Sequence, residues 1–135
     1  MSRQDNNIQI IKNIYDAVGD GDVDAILDRV ADDVDWAADA AGNAAPWYGQ
    51  RIGKAGVASF FSDINSSIEI SAFIPRSFAA GDDDVHLLVD WTFQPIATGR
   101  EVSMTMHHYW RLRDGKVQQF RGSEDSAVTA EAFAS

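Results

Sequence analysis

Few side chains in this sequence can move a proton or polarise a bond at neutral pH, and the best placed stand near its C-terminal end. In "SMTMHHYWRLRDGKVQQF" (103–120) the residue types alternate, so one strand face carries Met104, Met106, His108, Trp110 and Leu112. A histidine in such an apolar stripe has two uses. Satisfied by a backbone partner, it is a core residue. At the wall of a pocket it is a hydrogen-bonding group or general acid, with a pKa that burial lowers. Asp125, in "RGSEDSAVTAEAF", is the carboxylate with most to offer. Beside an apolar cavity it serves as a general base with a raised pKa; at the start of a short C-terminal helix it is an N-cap. Glu124, next to it, reads as exposed. His107 faces away from His108 by strand parity, and His86 has no partner evident in the sequence.

A group doing such chemistry needs walls that hold a ligand. Four tryptophans (Trp36, Trp47, Trp91 and Trp110) are many for a chain of 135 residues, and indole suits a flat ligand. Trp110 shares the stripe of His108 and belongs to the pocket wall. Trp36 reads as wall and Trp47 as rim, on either side of an Ala/Gly loop, whereas Trp91 shares a strand face with Leu87, Val89 and Phe93 and reads as core. Met104 and Met106 are adaptable fillers, fit for core or pocket wall. Tyr15 donates into the cavity or turns its hydroxyl to the surface. Arg121 balances a ligand carboxylate, pairs with Asp125, or is an exposed strand arginine. Phe61 comes from the most aromatic helical face in the chain and joins the substrate-binding set.

The composition closes off other chemistries. The chain has 21 acidic residues against 11 basic ones, a formal net charge of −10 that disfavours nucleic acid and acidic membrane surfaces. Seventeen of the acids are Asp, a residue that favours caps and turns, so most of that charge punctuates the chain. With no cysteine there is no disulfide, thiolate ligand or thiol nucleophile. No His/Asp/Glu set has metal-ligand spacing, and no phosphate loop, dinucleotide fingerprint or serine elbow occurs. The expectation is a site without metal or cofactor. No apolar run reaches membrane-span length and "MSRQDNNIQI" is no secretory signal, so a cytoplasmic protein is expected.

The elements that position these residues follow from periodicity. Ile8, Ile11, Tyr15 and Val18 share a helical face that "GDGD" terminates, and a short helix capped by Asp22 buries Val23, Ile26, Leu27 and Val30. Val34 and Trp36 lie on one side of a short extended piece, 37–50 is a loop, and a third helix from Lys54 to Asn65 buries Val57, Phe60, Phe61 and Ile64. From Ile68 the period falls to two, with strands over 68–80, 85–96, 101–113 and 116–124. Helices followed by long antiparallel strands predict a single α+β domain over 1–135, with a curled sheet whose concave face the helices only partly cover.

Three stretches, "IYDAVGDGDVDAILDRVADDVDW", "APWYGQRIGKAGVASFF" and "HHYWRLRDGKVQQFRGSEDSA", resemble the SnoaL-like branch of the superfamily named after nuclear transport factor two and ketosteroid isomerase. The resemblance implies a cone-shaped α+β fold. In it, N-terminal helices pack on a strongly curved antiparallel sheet that encloses an apolar pocket, and homodimers are frequent. It also implies an inward-directed His108, from "HxWxxxDGK". Ketosteroid isomerase residues do not carry over: Ile14 stands where the oxyanion tyrosine belongs, Ala38 near the base, and Met104 at the second oxyanion aspartate. Met104 and Met106 replace the Arg and Asp of the epoxide hydrolases. Polyketide cyclases place an acid/base Asp near the end of the last strand, where Asp125 stands. The expectation is a small, largely apolar carbonyl ligand, a polyketide or other polycyclic ketone, on which Asp125 and His108 carry out cyclase- or isomerase-type proton transfer. The alternative is a non-catalytic ligand-binding or dimerisation module of the same fold.

Overall fold

The computed structural model describes residues 2–40 and 42–134. Helix α1 (Arg3–Asp20) starts where the Ser2 hydroxyl accepts from the Asp5 amide, and it stops at Gly21, which takes the left-handed conformation. Its buried stripe of Asn7, Ile11, Ile14 and Tyr15 follows the helical repeat. The Asp22 carboxylate caps α2 (Val23–Leu27). The chain then extends sooner than its pattern suggests. Val30, expected on the helical stripe, opens strand β1 (Val30–Ala38), because the Arg29 carbonyl accepts from the Val117 amide and draws this segment into the sheet.

The remaining elements are β2 (Gly49–Ile52), α3 (Gly53–Ser67), β3 (Ile68–Ala80), β4 (Asp84–Pro95), β5 (Val102–Arg113), β6 (Lys116–Ser123) and α4 (Ser126–Phe133). The six strands form one sheet in the order β2-β1-β6-β5-β4-β3, antiparallel at every step except the parallel pair β1–β6. The β5–β6 hairpin closes on Asp114 and Gly115, with φ of 51° and 77°, so that Arg113 pairs with Lys116. Two consecutive positive φ angles are what a two-residue hairpin turn of the favoured twist demands.

Strand β4 buries every second residue, from Val85 through Leu87, Val89 and Trp91 to Phe93. On β5 the same alternation turns Met106, His108, Trp110 and Leu112 inward. Register shifts in β3 at Ile70/Ala72 and Arg76/Ala79, and in β5–β6 at Arg111/Leu112, bend the sheet into an open cone. Helices α1 and α3 lie in its hollow. Fully burying a side chain such as Phe93 or Leu87 contributes about 2–3 kcal/mol, so the apolar inner face holds the cone together. The outer face carries exposed polar pairs, among them Arg76 with Asp90 at 2.6 Å. Among the described residues no helix is long and apolar enough to cross a membrane.

Candidate functional site

The hollow between sheet and helices is not completely filled. A cavity of about 90 Å³ remains, walled by aromatic rings and by three polar side chains, Tyr15, His108 and Glu124. Trp36, Trp110 and Phe120 form one wall, with Trp36 stacked on Phe120 at 4.3 Å and Trp110 tilted against the same ring at 4.6 Å. Trp47 and Trp91, edge to face at 5.9 Å, form the other. Half-buried Phe61 and Ile64 and exposed Ile70 flank the opening.

His108 is buried at the centre of β5, where strand alternation aims it inward. Its Nδ1 lies 2.5 Å from the Tyr15 hydroxyl, and the Trp110 indole N–H donates to that same oxygen over 3.1 Å. The three groups form a chain from β5 to α1 and back. Burial pulls the imidazole down to about 3, with His107 acting in the same direction, so His108 is neutral across the physiological range. Burial also raises the Tyr15 hydroxyl well above its ordinary value, against the opposing Trp110 hydrogen bond. Tyr15 is a donor here and not an acid.

The carboxylate at the cavity is Glu124. Its Oε1 accepts from the Trp47 indole at 2.8 Å and its Oε2 from the Thr129 hydroxyl at 2.5 Å, which fixes it between the loop before β2 and helix α4. Asp125 is exposed and does not line the cavity; its Oδ1 accepts from the Val128 amide and caps α4. The carboxylate that lines the cavity is thus the residue before the expected Asp125, which lies outside the lining. Phe120 and Gly122 face the cavity from β6, and Glu124, just past the end of the strand, lines it with them, while Asp125 turns to cap α4. Asp35, on the outer side of β1, is bonded by the Arg121 guanidinium at 2.7 Å and then by Gln50, which hold it below the usual carboxylate range.

Of the other expected binding residues, Tyr15, Trp36, Trp47, Phe61, Met106 and Trp110 line the cavity. Trp47 was expected at a rim but is 2% exposed and belongs to the wall. Met104 packs against the core and does not reach the cavity. Arg121 faces outward, held by the carboxylate and carbonyl of Asp35, and is removed from the ligand-facing set. Sequence reasoning missed Trp91, Phe73 and Gly122, all of which line the cavity. Trp91 shares a face with core residues and lies on the cavity at the same time. Among the described residues no group of three His, Asp or Glu side chains could hold a metal ion.

The model of the SnoaL-like domain matches residues 11–120. The chain belongs to the SnoaL-like domain family. Among solved structures, an NTF2-like protein from Burkholderia xenovorans LB400 is 26% identical to this SnoaL-like protein. The match covers 97% of this chain and 98% of that one, with a TM-score of 0.87. An NTF2-like protein of unknown function from Burkholderia pseudomallei K96243 is 23% identical over the whole of both chains, with a TM-score of 0.89. TerC, co-crystallised with polyporic acid, is 24% identical over 96% of this chain and 99% of its own, with a TM-score of 0.80. The α+β cone is thus the fold of this family. No curated protein sequence matches the chain.

Proposed function

We propose that this SnoaL-like protein binds a small, largely apolar carbonyl compound in the cone and moves a proton beside the carbonyl, with no cofactor. The observation that carries this reading is that one neutral imidazole and one carboxylate, His108 and Glu124, line the same otherwise apolar cavity. Gly122 pairs with His108 across the β5–β6 ladder, and Glu124 stands two residues further on. Two residues of extended chain span about 7 Å. The step across the ladder from His108 to Gly122 adds to this, so a ligand has room between a donor at its carbonyl oxygen and a base at the adjacent carbon. His108 polarises the carbonyl and stabilises the enolate as a neutral donor; Glu124 takes the proton and returns it.

Cavity size narrows the substrate. An engineered cavity of about 150 Å³ admits benzene, whereas the closed cone offers about 90 Å³. A polycyclic skeleton fits only if Phe61, Ile64 and Ile70 swing outward at the mouth. A single-ring or short-chain carbonyl compound asks for much less movement. Polyporic acid, with which TerC of the same fold was co-crystallised, is a further probe.

The two donors on Glu124 favour a second reading, in which the carboxylate only ties α4 to the cavity wall and the cone binds without turnover. Two measurements separate the readings. Titration of tryptophan fluorescence with cyclopentanone, cyclohexanone and a simple quinone reports binding, because all four indoles lie on the cavity. Deuterium uptake from solvent at the carbon beside the carbonyl, followed by proton NMR, reports the chemistry. Saturable quenching with catalysed exchange is expected; quenching without exchange leaves the binding module.

A further inference from the structure

We infer that the Trp110–Tyr15–His108 chain locks His108 as its Nε2–H tautomer, and that the cavity therefore selects ligands that bring hydrogen-bond acceptors and no donors, ketones or quinones rather than alcohols or amines. The inference rests on the proposed function for the location of the ligand, and it adds the polarity of the group that ligand must present.

The direction of the chain follows from what each group can do. An indole N–H only donates, so in the 3.1 Å contact the Tyr15 oxygen accepts from Trp110. The Tyr15 hydroxyl proton then points to its other partner, His108 Nδ1 at 2.5 Å. A nitrogen that accepts carries no proton. In a neutral imidazole the single proton then resides on Nε2.

Nε2 is the free end of the chain. It has no partner among the described residues, and it is not among the sealed, unpartnered nitrogens of the interior. Gly122, its partner across the ladder, keeps it uncovered. A methyl at that position would sit 3.4 Å from Nε2, 3.3 Å from Cδ2 and 3.1 Å from the Phe120 ring. Alanine would crowd the edge of the imidazole that a ligand has to reach.

The rest of the wall has the same bias. The indole N–H groups of Trp36 and Trp91, both on cavity-lining residues, are sealed and have no acceptor among the described residues, so they offer a ligand's donor nothing to bond. The one carboxylate, Glu124, already accepts from two protein donors. A ligand hydroxyl or ammonium would find few lone pairs, whereas a carbonyl oxygen meets the Nε2–H.

Long-range 15N–1H correlation spectra of histidine-labelled protein read the tautomer directly. The His108 signals are assigned by their loss in His108→Gln. The expected spectrum has Nε2 protonated and Nδ1 unprotonated from pH 8 to pH 5, and in Tyr15→Phe the Nδ1 resonance shifts as it loses its donor. A protonated Nδ1, an imidazolium, or a Tyr15→Phe spectrum identical to wild type overturns the inference. The wild-type spectrum decides even where a variant does not fold. For the ligand class, the ratio of cyclopentanone to methylenecyclopentane affinity is compared in wild type and His108→Phe, two probes that differ only in the acceptor. The ratio should fall about 2- to 10-fold in the variant, the worth of one neutral hydrogen bond; an unchanged ratio overturns the assignment of His108 as the selecting donor. The tautomer needs neither ligand nor turnover, so failure of the proposed activity leaves a distinct record.

Discussion

Acidification should destabilise this protein through one buried ring. In the folded state His108 protonates only near pH 3, whereas a solvated histidine protonates near 6.5. Below 6.5 the unfolded chain therefore binds a proton that the folded chain refuses, and stability is lost as pH falls from 6.5 toward 3. Between pH 7 and pH 5 the cost spans about 1.5 pH units at 1.36 kcal/mol each, or about 2 kcal/mol. At about 2.1 cal/mol/K per residue, the 135 residues have an unfolding entropy near 0.28 kcal/mol/K, so the midpoint drops by about 7 °C. The control is His108→Gln, which keeps an acceptor for the Tyr15 hydroxyl and cannot titrate. Urea unfolding followed by circular dichroism at both pH values gives the two losses. Every other side chain is common to both proteins, so the difference isolates His108. A wild type that loses about 2 kcal/mol more than the variant is expected. Parallel losses would show that the ring is hydrated or already charged, and the neutral donor at the heart of the site would be refuted.

Further outcomes follow from the same packing. Asp125→Ala removes the bond to the Val128 amide and should cost about 1 kcal/mol in urea unfolding, with ketone exchange unchanged; a collapse of exchange would return the base to Asp125. Phe93→Ala, at a fully buried site on β4, should lower unfolding free energy by about 3–5 kcal/mol. Arg121→Ala opens a half-buried ion pair with Asp35 on the outer face and should cost no more than about 1 kcal/mol, while cyclopentanone quenches tryptophan fluorescence with the wild-type affinity.

Much of this architecture could be read from periodicity. The switch from a helical repeat to alternation at Ile68, the turn at Asp114-Gly115 and the inward stripe of Met106, His108 and Trp110 are local patterns that the sheet preserves. The pairing of β1 beside β6 was not legible, because parallel neighbours share no turn; only the register from Asp35–Gln119 to Ala38–Gly122 brings them together. Strand β2 was hidden for a related reason, since its four residues are mostly exposed and carry no apolar alternation. For the cavity lining, the inward run of Phe120 and Gly122 on β6 leads toward Glu124, just past the end of the strand. Asp125 drew attention as the stronger functional candidate, but it caps α4. The contact of Tyr15 with His108 joins residues 93 apart in the chain, and no local pattern encodes it.

The central claim is that His108 and Glu124 act on one ligand. Its most direct test is the rate of deuterium uptake by cyclopentanone in wild type, His108→Gln, Glu124→Gln and the double variant, each checked for native circular dichroism. Each single change should slow exchange by about 100-fold or more, and the double variant should be little slower than the slower single one, as for groups that work as a unit. Exchange at the wild-type rate in Glu124→Gln, or at the buffer rate in wild type, would contradict the account.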